Sequence, residues 1–271
     1  MIKLVGFDLD GTVIDRVNRC DSSVSEVISE LRKDGIRFAV VSGRACGSVE
    51  PLLEEWGLAG QVDYLIGSNG GELLNLETRK LTSTYTLEPE VFRDILDLYE
   101  PLHIIPTYYE GSTLYVQVMN EHVKAVGKRV GVNLVQADVR EKFVSPTFKE
   151  MFIVEETQMK EVEAFAAEHP DERYISFKTA TDLYEMNHPL LAKDVALRKI
   201  TEETGILPEE MMAFGDTSND IKMLQYVKYG IVMANGSEDA KAIAYDIAPS
   251  VDEQGFAKYL RAHVINGVYK K

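Results

Sequence analysis

The stretch Ile2-Lys3-Leu4-Val5-Gly6-Phe7-Asp8-Leu9-Asp10-Gly11-Thr12 joins a short apolar run to an acidic turn. A run such as Ile2–Phe7 suits a strand buried on both faces of a parallel sheet. In an open α/β sheet, ligands bind beyond the carboxyl ends of the strands, where Asp8 and Asp10 would project. Two carboxylates this close repel each other unless a cation holds both ionised. A hard cation with oxygen ligands, such as Mg²⁺, is the natural partner. Gly11 lets the chain turn sharply away. Taken alone, an Asp-Gly pair after a strand reads more readily as a surface turn, so the rest of the chain must decide.

Outward from that stretch, strands and helices alternate. Asp21-Ser22-Ser23 is a helix-start signal, followed by Val24, Val27, Ile28 and Leu31 at helical spacing, with Gly35 placed to end the helix. Ile36–Ser42 is a second buried strand, Val49–Trp56 a second helix with Pro51 tolerable in its first turn, and Val62–Gly67 a third strand. From about Leu73 the character changes. Glu72–Leu87 reads as a hairpin; Thr113–Met119, Phe148–Glu155, Arg173–Thr179 and Asp182–Met186 read as strands, and Pro89–Tyr99 and Gln158–His169 as helices. This is the pattern of an α+β insert. After Leu190 the alternation returns: helix Leu190–Thr204 closed by Gly205, strand Met211–Gly215, helix Asn219–Val227, strand Tyr229–Ala234, and helices over Ser237–Ala244 and Gly255–Val264. The expected fold class is α/β, a Rossmann-like doubly wound parallel-sheet core with an inserted α+β domain.

Two more strand ends carry polar groups. Val40-Val41-Ser42-Gly43-Arg44 offers a hydroxyl and freed backbone N–H groups of the kind that bind phosphate, although strand-Ser-Gly turns are usually structural. Phe214-Gly215-Asp216-Thr217-Ser218-Asn219-Asp220 places two further acids after a strand, where a helix-capping cluster is the plainer reading. Neither acid cluster is an EF-hand, because Ile221 and Val227 stand where Gly and Glu are needed after Asp216, and Gly11 and Thr12 are in the wrong order after Asp8. Lys193 lies in a helix and, on spacing alone, reads as a solvated surface residue.

Composition narrows the function classes. The chain has 271 residues, 45% hydrophobic and 27% charged, with 29 basic against 44 acidic side chains and a formal net charge of −15. That balance argues against a nucleic-acid binder, since phosphate contacts need clustered Lys and Arg. No apolar stretch approaches the ~20 residues that span a bilayer. The first ten residues carry two acids and lack a signal-peptide layout, and two cysteines, Cys20 and Cys46, fit a reducing compartment. A cytoplasmic protein is expected.

Taken together, the motifs resemble those of the haloacid dehalogenase (HAD) superfamily, more narrowly its Cof-type phosphatases with a large inserted α/β cap (subfamily IIB). Asp8–Thr12 (DLDGT) corresponds to the first motif, Val40–Arg44 (VVSGR) to the second, Lys193 in KDVAL to the third and Gly215–Asp220 (GDTSND) to the fourth. SNGGE (Ser68–Glu72), YGIVMAN (Tyr229–Asn235) and DEQGF (Asp252–Phe256) are weaker echoes. The chain departs from the pattern in having Asp194 rather than Gly after Lys193, and Asn235-Gly236 where Asn-Ala is commoner.

The resemblance implies core segments 1–81 and 188–271 with a cap over 82–187. It implies Mg²⁺-dependent hydrolysis of a small phosphorylated metabolite, sugar phosphates first, through an aspartyl phosphate on Asp8, with Asp10 as general acid and base. Thr12, Ser42, Gly43, Arg44, Lys193 and Asn219 would bind the phosphate or substrate. Asp8, the Asp10 carbonyl oxygen and Asp216 would hold the metal, with Asp220 supporting it from behind. Arg44, Lys178, Asn187, His188, Tyr108 and Tyr109 are candidate contacts to the leaving group, the two tyrosines reading first as cap packing. A phosphotransferase or mutase on the same site is the rival within enzymes, and a silent ligand-binding regulator is the rival outside them, disfavoured because Asp8 and Asp10 are both present. A membrane ATPase sharing the chemistry is excluded by the missing spans. The protein is expected as a monomer or small homo-oligomer.

Overall fold

The structure is a computed structural model, and it describes residues 1–110, 113–267 and 269. The chain divides into two compact units: Met1–Thr84 together with Ala192–Lys271, and Tyr85–Leu191.

The first unit begins with β1 (Leu4–Phe7), α1 (Ser22–Arg32), β2 (Arg37–Val41), α2 (Cys46–Val49), α3 (Leu52–Glu55), β3 (Tyr64–Gly67), β4 (Glu72–Asn75) and β5 (Leu81–Ser83). The Asp21 side chain caps α1 by accepting from Ser23 N–H, and Gly35 follows with φ +81°. The single helix expected over Val49–Trp56 is instead two short turns. Pro51 has no N–H to continue a helix, so α2 ends before it and α3 starts from it.

The second unit contains α4 (Pro89–Tyr99), β6 (Ile105–Glu110), β7 (Thr113–Val116), α5 (Glu121–Val130), β8 (Asn133–Gln136), β9 (Lys149–Ile153), α6 (Met159–Glu168), β10 (Ile175–Ala180) and β11 (Leu183–Asn187). Its strands run in the order β10-β11-β9-β6-β7-β8. All neighbours are antiparallel except β7 and β8, which α5 connects in parallel. Phe92, Ile95 and Tyr99 of α4 and Val162 of α6 pack with Phe152 and Met186, while Val123 and Val126 of α5 pack with Leu114, Val116 and Met151. Sheet plus flanking helices is the α+β character read from the sequence.

The chain then returns to the first unit with α7 (Asp194–Thr204), β12 (Met211–Gly215), α8 (Ile221–Tyr226), β13 (Tyr229–Met233), α9 (Glu238–Ala242), β14 (Asp246–Ala248) and α10 (Gly255–Leu260). Its sheet order is β14-β13-β12-β1-β2-β3-β4-β5, parallel from β14 to β3, with β4 and β5 antiparallel at one edge. Both faces are covered. Phe7, Phe38, Val40 and Phe214 pack with Val27 and Leu31 of α1 and Leu260 of α10, and Leu4, Ala39, Val41 and Ala213 pack with Leu197 and Ile200 of α7. That two-sided burial is why the strands read as continuous apolar runs. The units divide at 84/85 and 191/192, against the expected 81/82 and 187/188; Leu81–Ser83 belongs to the first unit through its pairing with β4.

The strand order reverses direction at β1: β2 and β3 lie on one side, β12 to β14 on the other. Phe7 is in register with Phe214, so the residues following β1 and β12 emerge side by side. A topological switch of this kind opens a crevice at the carboxyl ends of the strands.

Candidate active site

Asp8 leaves β1 directly at that crevice, its N–H donating to Phe214 O at 2.9 Å. Its Oδ1 accepts from Lys193 Nζ at 2.6 Å, and the same ammonium donates to Asp220 Oδ1 at 2.6 Å. Lys193 is 1% exposed and Asp220 fully buried. The surface reading of Lys193 is therefore overturned. It is the N-cap residue just ahead of α7, and its ammonium is held in the crevice by Asp8 and Asp220 rather than by solvent.

Asp220 is fixed by its other oxygen, which accepts from Asp216 N–H at 2.9 Å and Thr217 N–H at 3.1 Å. The capping reading of this cluster is correct as far as it goes, since Asp220 does tie down the turn at Thr217. It also serves the ammonium. Asp216 is buried with Oδ1 unpartnered, and its Oδ2 would lie 2.2 Å from a Cβ on Gly11, which has φ +82°. Only glycine satisfies both demands there.

One carboxylate oxygen each from Asp8, Asp216 and Asp220 lies within 4.8 Å of the others. Three acids thus face one ammonium. Burial, then Asp220 and Asp216 against the opposing pull of Lys193, push the Asp8 carboxyl up to about 8. Burial, then Asp220, push Asp216 up to about 7. Lys193 is raised instead, because the attraction of Asp8 and Asp220 exceeds the desolvation that opposes its charge. An all-oxygen donor set with surplus negative charge and an unpartnered buried Asp216 oxygen fits a hard divalent cation.

Asp10 lies apart from this cluster. Its carboxylate is 56% exposed and is gripped by Arg44, Nη2 to Oδ1 at 2.6 Å and Nε to Oδ2 at 3.1 Å. Arg44, a candidate substrate contact, is paired with Asp10. Thr12 is buried with its hydroxyl unpartnered, in a tight turn where the N–H groups of Thr12, Val13 and Ile14 all point to Leu9 O. Ser42 is buried, its Oγ accepting from Arg44 N–H at 3.1 Å, and Gly43 lies against Asn69. Asn219 is exposed and donates to Asn69 Oδ1 at 3.3 Å. Asp194, the departure after Lys193, pairs with Arg198 one turn on at 2.8 Å.

Within the second unit, Tyr108 packs edge-on to Phe143 at 5.0 Å, in keeping with the packing reading. Tyr109 has Lys149 over its ring at 5.3 Å, Lys178 is exposed, and Asn187 is buried with Oδ1 unpartnered. His188 stacks on Tyr85 at 5.0 Å.

Sequence reasoning assigned no role to Asn69 and Asn235. Asn235 donates to Gly11 O at 2.8 Å and accepts from Val251 N–H at 2.9 Å, so it braces the turn that carries Asp10. The available signal for both was a polar residue just past the carboxyl end of a strand.

A family model described as haloacid dehalogenase-like hydrolase matches residues 5–260. YcsE of Bacillus subtilis, a 5-amino-6-(5-phospho-D-ribitylamino)uracil phosphatase, is 26% identical over 272 residues, covering 97% of this chain and 96% of that one. TM0651 of Thermotoga maritima superposes with a TM-score of 0.88 at 23% identity over 97% of each chain. BT4131, described as a HAD subclass IIB sugar phosphatase, superposes with a TM-score of 0.80 at 23% identity over 97% of this chain and 99% of that one. Among the described residues, no helix is long and apolar enough to cross a membrane.

Proposed function

From the premise that the chain belongs to the haloacid dehalogenase-like hydrolase family, we propose that it is a Mg²⁺-dependent phosphatase of small phosphorylated metabolites, with sugar phosphates the first class to test. The observation that carries this is the buried Lys193 held between Asp8 and Asp220, with the unpartnered Asp216 beside them. YcsE, a 5-amino-6-(5-phospho-D-ribitylamino)uracil phosphatase, and BT4131, a sugar phosphatase, support the substrate class.

In this reading Asp8 attacks phosphorus in line, forming an aspartyl phosphate as the bond to the leaving oxygen breaks. Asp10 gives its proton to that oxygen, then takes one from the water that attacks the aspartyl phosphate, so inorganic phosphate leaves and both acids return to their starting states. Mg²⁺, held by Asp8, the Asp10 carbonyl oxygen and Asp216, would neutralise the repulsion between a carboxylate nucleophile and a phosphate dianion. Asp220 orients Lys193, whose ammonium, with Ser42, Gly43, Thr12 and Asn219, would meet the non-bridging oxygens of the phosphoryl group. Arg44 holds the Asp10 carboxylate near the crevice by a bidentate pair, a geometry Lys does not reproduce.

An aryl phosphate with Mg²⁺ tests the reading directly. Turnover abolished by EDTA and by Asp8→Asn is expected. A purified protein with no turnover, or an Asp8→Asn variant with normal turnover, sinks it. Comparing kcat/KM across phosphorylated metabolites then identifies the substrate.

A further inference from the structure

The SNGGE segment, Ser68–Glu72, follows β3 as a single tight turn. Three successive residues have positive φ: Ser68 at 51°, Asn69 at 53° and Gly70 at 92°. Only the last is a glycine, and side-chain-bearing residues hold such angles where the surroundings over-determine them. Here they are over-determined. Ser68 N–H donates to Arg44 O at 2.9 Å and Asn69 N–H to Ser42 O at 3.1 Å. Glu72 Oε2 accepts from both Ser68 Oγ at 2.9 Å and Cys46 N–H at 2.8 Å. A Cβ on Gly70 would lie 2.1 Å from Ala192 O and 3.1 Å from Lys193 Cα, so the turn presses its backbone against the chain as it enters Lys193. The Asn69 side chain reaches the remaining segment: its Oδ1 accepts from Asn219 Nδ2 at 3.3 Å and would lie 3.1 Å from a Cβ on Gly43. One turn therefore touches the Ser42–Arg44 segment, the approach to Lys193, and Asn219.

We propose that Asn69 is a positioning residue for phosphate recognition, its amide oxygen fixing the Asn219 carboxamide against the Ser42-Gly43 turn so that both present one geometry to the phosphate. The inference rests on the phosphate-binding reading of Ser42, Lys193 and Asn219 given above. Asn219 is exposed; Thr217 Oγ1 donates to its Oδ1 at 2.7 Å and Asn69 holds its Nδ2, so losing Asn69 loosens the donor end of the carboxamide, and an ordered donor loses less freedom on binding than a looser one.

The test uses Asn69→Gly, which keeps the positive-φ backbone at no steric cost while removing the side chain, together with Asn219→Ala and the double variant. Two readouts are taken on the full chain: KM and kcat for an aryl phosphate with Mg²⁺, and affinity for inorganic phosphate by calorimetry. Asn69→Gly is expected to raise KM and weaken phosphate binding by about three- to tenfold, with kcat nearly unchanged and the melting temperature retained. The double variant is expected to bind phosphate no more weakly than Asn219→Ala alone, because both substitutions remove one arrangement. Additive losses, unchanged phosphate affinity, an intact KM accompanied by a lowered melting temperature, or a wild-type protein that binds no phosphate would each overturn the inference. Coupled losses in phosphate affinity without any wild-type turnover would uphold it and overturn the hydrolytic reading instead.

Discussion

Each unit sets a lysine against acid, Lys193 fully buried and Lys149 partly so, but the charges are counted differently. In the second unit Lys149 meets Glu185 at 3.1 Å, one for one, with the Tyr109 ring alongside. On the opposite face of β9, Glu150 is fully buried with both oxygens unpartnered, and burial raises its carboxyl well above the usual range. In the first unit Lys193 meets two carboxylates at 2.6 Å with a third within 4.8 Å of them. There burial and mutual repulsion raise Asp8 and Asp216 together, against the pull of Lys193. Burial of charge is common to both places. The surplus of acid over base is what marks the first as a site that calls for a cation.

The sharpest way to break this comparison is Asp8→Asn, which keeps shape and removes the nucleophile; aryl phosphate turnover is expected to fall about ten-thousand-fold or more. Lys193→Met comes next. It leaves buried carboxylates without their ammonium, and denaturant unfolding of the metal-free protein should show a loss of about 3–5 kcal/mol. The matching Lys149→Met change, at a half-exposed site, should cost clearly less, and equal losses would erase the distinction between the two lysines. A cation should act on the first unit: Mg²⁺ at a hundred times its Kd is expected to add about 2.7 kcal/mol to stability. Asp216→Asn should shrink the corresponding rise in melting temperature, whereas Glu150→Gln should leave it intact.

Glu150 gives the smallest effect, and its sign follows from its raised folded-state pKa. Below the ordinary carboxylate range the group is protonated in folded and unfolded chains alike and costs nothing through ionisation. As pH rises past that range, the unfolded chain ionises while the folded one keeps its proton, so the wild type loses stability until the folded group also ionises. Glu150→Gln removes that dependence. Its advantage over wild type should widen as pH rises through and above the ordinary carboxylate range. A gap independent of pH would show that Glu150 has a partner after all.

Much of this was legible because it is local. Pro89 at the first position of α4 and the helical recurrence of Val91, Phe92, Ile95 and Leu96 give that helix its bounds. The acids at the ends of β1 and β12 are visible because strands and the turns that end them have local signatures. Lys193 was not legible from its own helix: it is buried because Asp8 and Asp220 reach it from distant parts of the sequence. Pro51 was seen, but not that α2 would form ahead of it. In the second unit, α5, β6 and β8 went unassigned; in Ile105–Glu110 a proline and two adjacent tyrosines blur the alternation of a half-buried strand. Ser68 and Asn69 hold angles usually signalled by glycine, so their sharp turn has no glycine to announce it until Gly70.

The central place of β1 has a consequence for how the protein is made. Leu4–Phe7 is flanked by β2 on one side and by Met211–Phe214 on the other. On the ribosome, β1 must wait with one edge unpaired until Met211–Phe214 has emerged. The contiguous unit Tyr85–Leu191 is complete before its neighbour's sheet can close. Long-range closure of that kind slows folding and leaves an apolar edge open to intermolecular pairing. Chain elongation thus delivers Asp8 long before Asp216 and Asp220, and the site comes into being only after the whole of Tyr85–Leu191 has been made.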